Sequence, residues 1–126
     1  MKKIFLILIF NISISFGFRA VASVDKNQCS TGDIINFKIE LENADSFARI
    51  NTEALKKDFT IISGPSQQTS MQWINGSITN SRIMSWSISP NSDGDLIIPS
   101  IRIEINGKKY STKKIQIKVD KSKNNK

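Results

Sequence analysis

A chain of 126 residues with a formal charge of +7, 39% hydrophobic and 23% charged content, has room for one ordinary domain whose core stands without disulfides or metal. It holds no histidine and one cysteine. That removes Ser-His and Cys-His nucleophilic pairs, the usual general base near neutral pH, most zinc sites and any internal disulfide.

The N-terminus carries the clearest local signal. Lys2 and Lys3 form a basic start, a largely apolar run from Ile4 to Ile14 is interrupted by Asn11, and the small residues Ser13, Ser15 and Gly17 follow. This is the layout of a secretory signal peptide, and the run is shorter than the ~20 apolar residues of a membrane span. Signal peptide 1–17 is the preferred reading, because Phe18, Ala20, Ala22 and Val24 then alternate as a first strand. Ala20-Val21-Ala22 offers a second cleavage point, as late as 22. No cysteine sits at either junction, so a lipid-anchored form is not expected. Loss of Lys2 and Lys3 lowers the charge from +7 to +5. An exported protein is the implied product.

Strand signals fill the rest. Asp25-Lys26-Asn27 and Thr31-Gly32-Asp33 read as turns, with Cys29 between them as a small half-buried residue. Ile35, Phe37, Ile39 and Leu41 alternate with Asn36, Lys38, Glu40 and Glu42, the pattern of a half-buried antiparallel strand. Ala44 to Asp58 is the one helix-compatible stretch, with Thr52 as its expected cap. Phe59 to Ile62 predicts a strand, and Ser63-Gly64-Pro65-Ser66 predicts a turn that ends it. Met71 to Ile74 and a long strand from Ser77 to about Ser89 flank Asn75-Gly76, the preferred pair for a two-residue hairpin. Met84, Trp86 and Ile88 are its expected core residues. Leu96 to Pro99, then Ile101, Ile103 and Ile105, a second Asn-Gly turn at Asn106-Gly107, and Ile115, Ile117 and Val119 complete the domain.

About seven antiparallel strands with inward faces on many of them are best buried as two stacked sheets. The predicted fold is all-β, an immunoglobulin-like β-sandwich spanning 18–119, followed by a polar lysine-rich tail at 120–126. A solvated tail is the plain reading; a peripheral contact with anionic lipid headgroups or an acidic partner is the sharper one. Nucleic acid is not an expected partner, since the basic residues are not interleaved with aromatics.

The acidic pairs Glu40/Glu42 and Asp93/Asp95 read as solvated surface, and Asp93-Gly94-Asp95 lacks the spacing and terminal Glu of a calcium loop. No catalytic residue, cofactor or metal site is expected. Trp73, at a hairpin end, is the candidate partner-binding residue, with Phe47 and Tyr110 as further candidates; the plain reading of all three is core packing. A docking module for proteins and a carbohydrate- or surface-binding module of adhesin type both fit.

The chain resembles the BatD, or oxygen-tolerance, family. Phe59-Thr60-Ile61-Ile62-Ser63-Gly64-Pro65-Ser66 carries most of the likeness, and Ala22 to Asn27 fits the family's first strand. Ile74-Asn75-Gly76, Trp86 to Pro90, Gly94, Ile98-Pro99, Gly107 to Thr112 and Ile115 to Val119 follow in the family's order. The resemblance implies an exported protein-interaction domain in the periplasm, or on the periplasmic face of the inner membrane, from a bacterial stress- or oxygen-tolerance system, with von Willebrand A-domain proteins and a MoxR-type ATPase as associates and no catalytic residues. Family members usually continue into further β domains and a transmembrane helix. The present sequence reads either as a free-standing single-domain relative or as the first piece of a longer one.

Overall fold

The strict alternation of Ile35, Phe37, Ile39 and Leu41 with polar residues produces β3 (Ile35–Glu42), whose four apolar side chains are fully buried. The computed structural model describes residues 19–44 and 47–122. On one flank β3 pairs antiparallel with β1 (Arg19–Val24), from Arg19 opposite Glu42 to Val24 opposite Phe37. On the other it pairs with β6 (Ser77–Pro90), which pairs in turn with β5 (Phe59–Ile74), giving a four-stranded sheet in the order β1-β3-β6-β5.

The second layer consists of two three-stranded sheets. One orders β2 (Gln28–Ser30), β10 (Ile115–Asp120) and β7 (Gly94–Ile98); the other orders β4 (Arg49–Asn51), β8 (Arg102–Ile105) and β9 (Lys108–Ser111). One continuous core joins the layers, with Phe37, Trp86 and Ile88 from the first meeting Ile98, Ile103 and Ile117 from the second. The molecule is a β-sandwich, as the alternation of its strands predicts.

Four local expectations are corrected. Ten strands are present among the described residues where about seven are predicted; two of the additional ones, β2 and β4, are three-residue pieces too short to show a period. The β2–β10 pair is parallel, not antiparallel. Its direction is inherited from β1, whose chain crosses to the second layer through Asp25 to Asn27 and settles beside β10, with Lys118 N donating to Asn27 O at 2.9 Å. The helix-compatible stretch yields β4 and a 3-10 helix at Glu53–Lys57, anchored by buried Leu55. Thr52 holds the N-cap position as expected, but its side chain makes no capping bond; Asn51 Oδ1, one residue earlier, accepts from Glu53 N at 2.9 Å instead.

The fourth correction concerns Gly64-Pro65. The chain does not turn there; β5 runs through it for 16 residues, with register shifts between Ile61 and Ser63 and between Ser63 and Ser66. β5 is an edge strand, so Pro65 forfeits no outer ladder bond and the bulge absorbs the extra residues. Gly64 is held at φ 121° against β6, where a Cβ would fall 2.8 Å from Ser85 O and 2.8 Å from Trp86 Cα.

The expected leader, 1–17, lies outside the described residues, as does the tail from 123 onward. β10 extends to Asp120, and Ser122 N donates to Thr31 Oγ1 at 3.0 Å. The two cleavage points differ in what they leave of β1. Cutting after Gly17 keeps the strand whole, whereas cutting after Ala22 removes residues 19–22 and uncovers the flank of β3. The expected exported form therefore begins at Phe18, which intact-mass measurement of the secreted protein checks. Gly64→Ala is expected to lower stability by about 3 kcal/mol, from backbone strain plus overlap with β6. Gly76→Ala, with open space at its Cβ, should cost about 1 kcal/mol by urea unfolding.

Candidate functional site

The site is the outer half of the β5–β6 hairpin. Asn75 (φ 51°) and Gly76 (φ 81°) both adopt the left-handed conformation, the signature of a type I′ turn. This turn sets Ile74 opposite Ser77, and hence Trp73 opposite Ile78 and Met71 opposite Asn80. In such a hairpin the pair closing the turn is hydrogen-bonded, so Trp73 and Ile78 form a non-bonded pair, the kind whose side chains lie closest.

Strand alternation places Ile78 on the same face of β6 as Met84, Trp86 and Ile88. Those three are buried under the second layer, whereas Ile78 is 50% exposed, Met71 64% and Trp73 72%. The arm is thus a continuation of the core face beyond its cover. Cover ends at Arg82. Its Nε donates to Ala44 O at 3.2 Å, its NH1 donates to Thr69 Oγ1 at 3.2 Å, and its guanidinium lies 5.1 Å from the Phe47 ring centroid. Asn43 N donates to Asn80 O at 2.9 Å, so the segment leaving β3 clasps the base of the arm. The opposite face of the arm carries Gln68, Ser70, Gln72, Thr79 and Ser81, with Ile83 opposite Gln68, and is mostly polar.

The three candidate aromatics are not brought together. Trp73 stands out in solvent, Phe47 is half-buried beneath Arg82, and Tyr110 is half-buried on β9 opposite Ile103, against the core. Met71 and Ile78 join Trp73 instead. The i, i+2 spacing of Met71 and Trp73, with the Asn-Gly turn that sets Ile78 opposite, was the signal for them. The other quoted family-like residues are structural. Phe59 and Pro90 are buried at the paired ends of β5 and β6, Gly64 and Pro65 build the bulge, and Asn75, Gly76 and Gly107 form the two tight turns. Gly94 opens β7 and Pro99 follows it.

Chemistry elsewhere is sparse. Among the described residues no group of three or more His, Cys, Asp or Glu side chains is placed to hold a metal. A cleft of about 490 Å³ borders β4, β8 and β9, but Arg49, Glu104 and Lys109 line up across it with alternating sign. Cys29 is buried on β2. Burial, followed by the Asp33 carboxylate, pushes its thiol pKa up against the opposing pull of Lys26. It is therefore a protonated, packed thiol at neutral pH.

Fold and site together define a two-layer β-sandwich with a protruding apolar arm. A family model described as the BatD DUF11-like domain matches residues 22–119, from the middle of β1 to the end of β10. The chain belongs to the BatD family. Comparison with curated proteins and with solved structures gives no significant match.

The raised thiol pKa has a measurable sign. Protonated Cys29 is the form the fold favours, so its contribution to stability is complete below the unfolded thiol pKa and is lost as pH rises through the higher folded value. Folded protein at pH 8 should accordingly alkylate with iodoacetamide far more slowly than the same protein in urea, read by mass spectrometry.

Proposed function

We propose that this BatD-family domain is an exported, non-catalytic protein-interaction module of the bacterial envelope, and that it holds its partner through the β5–β6 arm. One observation carries the reading: the core face of the main sheet continues past its cover and offers Met71, Trp73 and Ile78 to solvent. An apolar group of this kind at a hairpin end is costly to keep in water and marks a docking surface. Burying the three side chains completely is worth about 2 kcal/mol each before the costs of association, enough for them to dominate a small interface. Tryptophan is the residue type most often found at such centres.

Partner chemistry follows from the surroundings. The apolar group calls for an apolar pocket, and the positive charge of the chain, +7 in full and +5 without Lys2 and Lys3, favours a partner rimmed with carboxylates. Lys2 and Lys3 with the apolar run behind them support export, and with it a partner in the periplasm or on its membrane face. Within the BatD family, von Willebrand A-domain proteins associated with a MoxR-type ATPase are the proposed partners, and tolerance of oxygen or stress is the proposed role. The exposed indole of Trp73 also suits a sugar face, which makes a glycan-binding module the second reading.

A photo-crosslinking residue in place of Ile78 should capture a discrete envelope protein in intact cells. Trp73→Ala should reduce that capture about tenfold while leaving the unfolding midpoint unchanged, because the side chain touches little of the core. Capture no greater than at a polar control position such as Gln116 would sink the protein-docking reading, and glycan-array binding lost on Trp73→Ala would replace it with the second.

A further inference from the structure

The arm has an edge as well as a face. β5 is the outermost strand of the four-stranded sheet, so one side of its backbone has no neighbouring strand. The type I′ turn fixes which groups are involved. Ile74 and Ser77 form the bonded pair that closes the turn, so Gln72, Ser70 and Gln68 also bond towards β6. The Thr79 hydroxyl donating to Gln72 O at 3.4 Å agrees, since it places that carbonyl on the β6 side. Gln67, Thr69, Met71 and Trp73 therefore aim their N–H and C=O groups outward, and among the described residues no other backbone reaches them.

Edge strands are normally guarded by charge, proline, bulges or brevity. The other edges follow that rule. β1 opens with Arg19, β7 carries Asp95, β9 carries Lys108 and Lys109, and β2 and β4 have three residues each, the latter with Arg49. The inner part of β5 is guarded by its bulge and Pro65. From Ser66 to Ile74 every guard is missing: the stretch holds no charged residue and no proline, and its register against β6 is unbroken.

This lack of charge favours a second copy of the same edge as the occupant. When a strand pairs antiparallel with its own copy about a two-fold axis, a charge near the axis faces its own like charge, a penalty that adds to the repulsion between two molecules of net positive charge. Of the edges in this fold, the outer part of β5 is long and free of that penalty. We infer that the outward edge of β5 from Gln67 to Trp73 pairs antiparallel with the same edge of a second copy of this chain. Centring the two-fold at Ser70 aligns Gln67 with Trp73 of the second copy and Thr69 with its Met71. All four outward residues then lie in bonded pairs, with about eight new backbone hydrogen bonds. The two-fold stands perpendicular to the sheet, so the apolar faces of both arms lie side by side on one surface. Pairing thereby doubles the docking face. It stands on the edge geometry and does not depend on what that face binds.

Sedimentation velocity on the purified protein should show a shift from monomer to dimer with concentration, complete by about 0.5 mM. Hydrogen exchange should slow over the same range at the amides of Thr69, Met71 and Trp73 and stay constant at Gln72. Met71→Pro removes one outward N–H and blocks a neighbouring strand while leaving the β6 bonds in place, so it should abolish the dimer. Met71→Ala removes only the side chain and should retain it, and Thr69→Pro repeats the edge test should Met71→Pro misfold. A protein that stays monomeric throughout, or a dimer that survives both proline variants, overturns the inference. Loss of envelope crosslinking with the dimer intact would count against the docking reading alone.

Discussion

Trp86 is the contact on which the architecture turns. It sits opposite Phe37 on β3, the ring centroids 5.6 Å apart, and on its other flank Gly64 of β5 lies so close that no side chain fits between. Three of the four strands of the main sheet are thus locked around one indole. The bulge at Ser63 to Ser66 follows from it: β5 bends to bring a residue without a Cβ over Trp86, and the register shifts take up the slack. Everything beyond the bulge, including the arm, is aimed by that bend.

β6 is the shared spine of the core and the site. Its 14 residues carry apolar side chains on one face at Ile88, Trp86 and Met84 near the base and again at Ile78 near the tip, with Arg82 and Asn80 between them. Where the second layer lies opposite, that face is core. Where the second layer stops, it is the apolar part of the arm. Arg82 marks the boundary, since a guanidinium that bonds the carbonyl of Ala44 and lies over Phe47 closes the rim of the core with a group that tolerates water. The strand that carries Ile78 outward is anchored in the core at its other end by Met84, Trp86 and Ile88.

Much of this was legible in advance. Strict period-two alternation identified β3 and the inward set Met84, Trp86 and Ile88, and the two Asn-Gly pairs announced both tight hairpins. Gly64-Pro65 was misread for a physical reason: the pair does break a strand bonded on both sides, but on an edge it forms a bulge, and edge position is not a local property. The short strands β2 and β4 were missed because three residues cannot show a period. Trp73, Phe47 and Tyr110 carry the same ambiguity between docking and core packing in the sequence, yet one is 72% exposed and the other two lie against the core.

By itself the sequence determined the fold class, the pairing across each Asn-Gly turn and the exclusion of histidine chemistry, since these depend on residue type and on contacts between near neighbours. Only the tertiary structure decided where the second layer ends, which strand lies at the edge, and therefore that Met71, Trp73 and Ile78 face water while Met84, Trp86 and Ile88, on the same side of the same sheet, do not. Burial is a property of what lies opposite a side chain, and what lies opposite here comes from strands distant in the chain.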